Sequence, residues 1–324
     1  MLQVKTLDSK YDIIQVLLGR RIEYMSAYND KVSLLTFFRS TAEDKMRKIL
    51  RSNRDYKKQA SMINTEIKNQ KDYTINEMMG VARRERWSNE QVLDCVLHIT
   101  YASYVVMLEY RNQVWPYEYM AFARRIGELW EPFCKETFAY SVKPLRLIDS
   151  PDFNEVQDSI KRNATSYINS LAVDSQTKRL LHYHYSIPWK LVDSGGIQLG
   201  LDLHFSQNGI NYNCDFKSGF SSNEKGNTNR LLLVASIYRF LSADEKTVLF
   251  VRQNEDDNNH YLQTLKNSGY WDVFCAEAAY EQMYKFTGFD LRSWLDRNAT
   301  WVEDISDELR LHLEREGIIK YLTW

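Results

Sequence analysis

The chain has 324 residues and a formal net charge of -1, so it carries no global basic field, although a local basic surface on a neutral body is compatible with nucleic-acid binding. Hydrophobic residues make up 44% and aromatic residues 13%, which argues against a disordered chain and allows one large domain or two modest ones. No apolar run approaches the roughly 18 residues that span a bilayer, the first residues lack a signal-peptide core, and Cys95, Cys134, Cys214 and Cys275 are scattered. The expectation is a cytoplasmic protein with reduced thiols, neither disulfide-framed nor built on a zinc knuckle.

The first part, to about Tyr140, reads as helices, interrupted only by Gly19, Gly80, Gly127, Pro116 and Pro132. A basic segment, residues 44–73, places Lys45, Arg47, Lys48, Arg51, Arg54, Lys57 and Lys58 within about four helical turns. It is either a solvated face or a DNA-contacting helix, with Arg47, Arg51 and Arg54 on phosphates or guanine edges. Ser88 and Gln91 have the spacing of a capping box, and they predict a helix running to about Val114, buried centrally or in a dimer interface. Pro116 and Pro132 bracket a further predicted helix over 117–130, in a region rich in aromatics that reads as core.

A soft boundary falls at 142–152, around Pro144 and Pro151. Residues 152–172 predict an amphipathic helix with Phe153, Val156, Ile160, Ile168 and Leu171 on its apolar stripe and Glu155 beside it. Residues 180–191 predict a first strand, in which His182 and His184 are ordinary strand side chains rather than metal ligands. From Gly196 the chain alternates, with Leu199, Leu201, Leu203 and Phe205 on one face and Asp202 and His204 on the other. Asn208-Gly209 signals a tight hairpin, and the returning arm, 210–217, carries Asp215 and Lys217 two apart on one face. A polar loop, 218–227, leads into a predicted helix over 228–241, a strand over 246–252 and another over 270–276. Helical pieces over 278–285, 291–297 and 306–316 finish the chain.

Two carboxylates and an amine therefore converge on neighbouring hairpin arms. Such a set suits metal-assisted phosphodiester hydrolysis: hard oxygen ligands hold Mg²⁺, and a lysine orients water and offsets charge on the phosphorane. Asp202, Asp215, Phe216 and Lys217 resemble the P-D…[D/E]-x-K signature of the PD-(D/E)XK nuclease superfamily, whose largest group is the type II restriction endonucleases. Leu201 stands where that family often has proline, and Asp215 stands where Glu is commoner.

The resemblance covers roughly the second half of the chain. It implies an α+β protein in which a mostly helical region, 1–145, used for DNA recognition or dimerisation, precedes a nuclease core, 146–324. That core would have αβββαβ order, a mixed sheet flanked by helices, and C-terminal helices. The resemblance also implies Mg²⁺ held by Asp202, Asp215 and the Phe216 carbonyl, with Lys217 orienting the attacking water. Glu155 would be a weak further candidate. Asn223, Lys225, Asn227 and Arg230, in or after the polar loop, would contact DNA phosphates or bases. The implied partners are double-stranded DNA, a second copy of the chain matching a palindromic site, and a cognate methyltransferase in the host; no membrane is involved. A repair or mobile-element nuclease of the same fold, or a nucleic-acid-binding module that does not cut, would share these features.

Overall fold

The computed structural model describes residues 26–52, 55–191, 198–221 and 224–324. In chain order the helices and strands are α1 (Ser26–Asn29), α2 (Lys31–Leu50), α3 (Tyr56–Glu85), α4 (Asn89–Val114), α5 (Tyr119–Ala139), β1 (Arg146–Leu147), α6 (Phe153–Ser170) and α7 (Ser175–Leu191). They continue with β2 (Leu203–Gln207), β3 (Ile210–Lys217), α8 (Lys225–Leu241), β4 (Glu245–Val251), α9 (His260–Asn267) and β5 (Trp271–Cys275). The last are α10 (Glu277–Thr287), α11 (Leu291–Asn298), α12 (Trp301–Asp304) and α13 (Asp307–Arg315). The fold is α+β, with one five-stranded mixed sheet among the described residues. Two compact units form: the described residues up to Pro144 together with Glu277–Trp324, and Leu145–Ala276.

The C-terminal helices, read from sequence as part of the sheet region, thus belong to the helical unit. Their apolar stripes and a few polar contacts explain why. Trp294, Leu295, Trp301, Leu309 and Leu313 are buried. Trp294 Nε1 donates to Asp94 Oδ1 at 2.8 Å, and Asp304 accepts from Lys31 Nζ at 2.9 Å and from the Tyr101 hydroxyl at 2.7 Å. Glu109, which is buried, takes Arg39 in a two-toothed ion pair (3.1 and 2.6 Å) and also accepts from the Ser306 N–H.

At the centre of this unit lies α4, packed against α1, α2, α3, α5 and α13. Its start is set as the spacing predicts: Ser88 Oγ accepts from the Gln91 N–H, and the Gln91 side chain accepts from the Ser88 N–H. Replacing Ser88 with Ala is expected to lower unfolding free energy by about 1 kcal/mol in denaturant titrations, the ordinary cost of a lost N-cap. By length and mean hydropathy α4 is apolar enough to cross a membrane, although polar residues break up its apolar runs. That apolar window is 89% buried, so its surface is used in helix packing.

Two further helix expectations are corrected. The basic segment 44–73 is not one helix: α2 ends at Leu50, and α3 starts afresh with Asp55 as its cap, accepting from the Lys58 N–H. Pro132 does not end α5 but lies inside it, because buried Trp130, Phe133 and Phe138 on either side reward continuation more than one missing backbone hydrogen bond costs.

In the sheet unit the strands lie in the order β1-β2-β3-β4-β5. The β1–β2 and β2–β3 pairs are antiparallel, and the β3–β4 and β4–β5 pairs are parallel. Asn208 and Gly209 close the β2–β3 hairpin, both at positive φ (54° and 80°), the requirement of a two-residue primed turn that this dipeptide meets cheaply. The expected first strand over 180–191 is instead part of α7. Asp174 starts that helix by accepting from the N–H groups of Gln176 and Thr177, a cap that outweighs the local tyrosine–histidine alternation. Arg146–Leu147 supplies the first strand, paired with Phe205 and Ser206. Consequently the helix preceding the motif, α6, falls between the first and second strands rather than ahead of the first.

Alternation divides the sheet's side chains. Leu203, Phe205, Cys214, Phe216, Val248 and Phe250 share one face and are buried. On the other face Leu249, Val251 and Trp271 cluster with Leu231 and Ala235 of α8 and Leu262 and Leu265 of α9. A neighbouring cluster joins Phe153 and Val156 of α6 to Leu199, Val234 and Tyr238. These two clusters fix α6 and α8 around the segment that leads into β2. All four cysteines are free thiols, as expected.

Candidate active site

Asp202 stands immediately before β2, and Asp215 and Lys217 lie on β3. Extending the Leu203↔Cys214 register by one pair sets Asp202 opposite Asp215, on the same face as Lys217. The Asp202 carboxylate accepts from the Phe216 N–H at 2.7 Å, so a side chain continues the ladder where β2 has not yet begun. Lys217 Nζ forms an ion pair with Asp215 Oδ1 and donates to the Phe216 carbonyl at 3.3 Å. Arg230, from the second turn of α8, reaches Asp215 Oδ2 at 3.4 Å. Arg230, expected on DNA from its sequence position, thus also contacts the acid.

Asp215 has no exposed side-chain surface, whereas Lys217 keeps 20% and Arg230 43%. Burial pushes the Asp215 carboxyl up to about 6 from an ordinary 3.8, the Lys217 ammonium pulls it down, and the Asp202 charge raises it further. A desolvated carboxylate facing a second carboxylate is a place that calls for positive charge. Here Lys217 answers it, lying against two of the oxygens, Asp215 Oδ1 and the Phe216 carbonyl, that the sequence reading assigned to a metal.

The donor set is one buried carboxylate, one partly buried carboxylate and a backbone carbonyl, all hard oxygens. It suits Mg²⁺, which keeps most of its waters and needs only one or two carboxylates. Among the described residues no group of three or more His, Cys, Asp and Glu side chains forms a fuller cage.

The remaining candidates are less directly engaged. Lys225 is exposed at the first position of α8, and the Asn227 amide donates to Glu224 Oε2 at 3.0 Å. Asn223 and Arg54 lie outside the described residues. Arg47 pairs with Glu43 at 2.6 Å along α2, while Arg51 is exposed just past the end of that helix. Glu155, in the first turn of α6, is exposed, and no hydrogen bond or ion pair joins its carboxylate to Asp202 or Asp215 among the described residues. His182, on α7 rather than a strand, contacts Asn169 Oδ1 at 3.1 Å.

Sequence reasoning passed over His204 and Asn213. Both are buried, and both lie on the face that carries the acids. Their signal was available: a polar residue at period two from each acid, on strands whose other face is mostly apolar. No protein-family profile, no curated protein and no solved structure matches the chain.

Proposed function

We propose that the protein is a Mg²⁺-dependent endonuclease that hydrolyses phosphodiester bonds of double-stranded DNA, with a core like that of the PD-(D/E)XK superfamily and the biology of a type II restriction enzyme. One observation carries the reading: Asp202, Asp215 and Lys217, from adjacent strand ends, converge around a buried carboxylate. The strand pattern supports it too. Three antiparallel strands, then a helix and a strand parallel to the third, make up this part of the sheet, with the acids at the second and third strands, although both α6 and α7 stand between the first strand and the second.

Asp202, Asp215 and the Phe216 carbonyl would hold Mg²⁺, which when bound polarises the scissile phosphate and acidifies water. The chain's own groups do the rest. Lys217, anchored on Asp215 yet one-fifth exposed, can swing its ammonium to orient a water against phosphorus and to offset developing negative charge. Arg230 holds its guanidinium near Asp215 with nearly half its side chain open to solvent, suited to a phosphate oxygen. Exposed Lys225 adds positive charge at the start of the same helix. A homodimer on a palindromic duplex, a cytoplasmic location and a host methyltransferase belong to this proposal.

Incubation of purified protein with long plasmid DNA and Mg²⁺ tests it. Discrete fragments are the expected result. A smear assigns a nonspecific nuclease of the same chemistry, and DNA binding without strand scission across divalent ions and salt concentrations overturns the enzyme in favour of a binding module.

A further inference from the structure

Asp202 belongs to a short segment, 198–202, that precedes β2 and lacks the ladder's support. Its direction must come from elsewhere, and two side chains hold its backbone. The Tyr238 hydroxyl donates to the Leu199 carbonyl at 3.0 Å. The His204 Nε2 atom accepts from the Leu201 N–H at 2.9 Å, one residue from the acid.

That second contact dictates the state of the ring. A nitrogen that accepts from an amide carries no proton, so His204 is neutral with its hydrogen on Nδ1. The Nδ1–H has a matching acceptor: Asn213 Oδ1, 2.8 Å away. Asn213, 1% exposed, has its amide turned the right way by its other end, where Nδ2 donates to Glu245 Oε2 at 2.7 Å and to the Lys246 carbonyl at 3.3 Å. A chain of polar groups therefore runs from half-buried Glu245 on β4, through buried Asn213 on β3 and His204 on β2, to the backbone beside Asp202. Register makes it possible: His204 and Asn213 are direct cross-strand partners, one same-face step from the Asp202–Asp215 pair.

We infer that His204 is a positioning residue that aims the Asp202 carboxylate, with Asn213 and Glu245 fixing the tautomer it needs. The inference rests on the nuclease reading above. It assigns His204 no contact with substrate. The far side of Asp202 is already fixed by the Phe216 N–H, so the carboxylate is clamped from both its own backbone and the neighbouring strand. Buried polar partners of this kind commonly control ligand affinity by orientation, since small displacements of a reacting group are expensive.

The test compares His204→Phe with His204→Gln in the full chain, reading Mg²⁺ binding by titration calorimetry alongside plasmid cleavage and thermal unfolding. Phe fills the space but offers no acceptor, and it should weaken Mg²⁺ binding by about 10- to 100-fold, with cleavage recovering as Mg²⁺ is raised. Gln can present an oxygen to the Leu201 N–H and should restore most of the affinity. Should the Phe variant not fold, Glu245→Gln serves instead: one oxygen must then serve the Asn211 and Asn213 amides that two carboxylate oxygens serve now, which loosens the far end of the chain, and a measurably weaker Mg²⁺ affinity is expected. Wild-type affinity in the Phe variant, or in Glu245→Gln where that stands in, overturns the inference and leaves the nuclease reading intact. So does a Gln variant as impaired as Phe. A wild-type protein that neither binds Mg²⁺ nor cuts DNA removes the nuclease reading, and the inference with it.

Discussion

Asp202→Asn is expected to reduce Mg²⁺-dependent cleavage of duplex DNA by at least about a thousand-fold, a loss of about 4 kcal/mol in transition-state stabilisation. The choice of Asn rather than Ala matters. Asp202 accepts the Phe216 N–H at 2.7 Å, and an Asn side-chain oxygen can do the same at nearly the same volume. The substitution therefore subtracts charge and leaves the ladder extension in place. If Asp202 serves only to terminate the β2–β3 pairing, the variant keeps its activity. If its negative charge holds a cation against phosphate, activity collapses while DNA is still bound, because the proposed phosphate contacts would come from Arg230, Lys225 and other basic groups. Single-turnover cleavage and a binding assay with Ca²⁺ in place of Mg²⁺ separate the two cases, and full cleavage by Asp202→Asn would remove the proposed catalytic set.

The parts of the fold legible in the sequence are those governed by local physics. Asn208-Gly209 admits positive φ at both positions and so dictates the hairpin, and Ser88 with Gln91 marks a helix start to the residue. From the hairpin register follow the shared face of Asp215 and Lys217 and the approach of Asp202. What escaped depends on partners far apart in sequence. A two-residue strand such as Arg146–Leu147 has no pattern of its own and exists only because β2 offers an edge. The α7 helix is hidden in the sequence because tyrosine and histidine at period two imitate a strand, while the Asp174 cap several residues earlier decides otherwise. Trp294 and Asp304 give no hint in sequence that their partners lie about two hundred residues upstream, at Asp94 and Tyr101.

The candidate site shows the same division. Its three charged residues stand out by type and spacing, whereas the arrangement that tunes them does not. Arg230 was legible as a cation near a loop, but its approach to Asp215 depends on how α8 crosses the sheet, set by Leu231, Val234 and Tyr238 in two separate apolar clusters. His204 and Asn213 look like ordinary strand residues until their direct pairing and the Leu201 N–H are seen together. Charge identity is a property of the chain; burial and orientation are properties of the packed sheet.

Asp215→Asn carries the second large effect, in the opposite direction from its effect on activity. The Asp215 carboxyl is pushed up to about 6 in the folded protein, first by burial, against 3.8 for an ordinary aspartate, a difference worth about 3 kcal/mol. Below pH 3.8 both folded and unfolded chains hold the proton, and the group costs nothing. Between 3.8 and about 6 the unfolded chain releases its proton while the folded chain retains it, so stability falls as pH rises, and above about 6 the full penalty is present. An amide at this position escapes that penalty. Lys217 and Arg230 lose their carboxylate partner, but both reach solvent, so the net gain expected for Asp215→Asn is about 2 kcal/mol at pH 8 and near zero at pH 4. Denaturant titrations of both proteins across this range, without divalent ions, check it. Adding Mg²⁺ at pH 8 should then raise the stability of the wild type alone, because only the charged carboxylate gains a ligand in the folded state. A stability difference that does not change between pH 4 and pH 8 would mean that Asp215 is hydrated rather than desolvated, and that the buried carboxylate on which the cation site depends is not there.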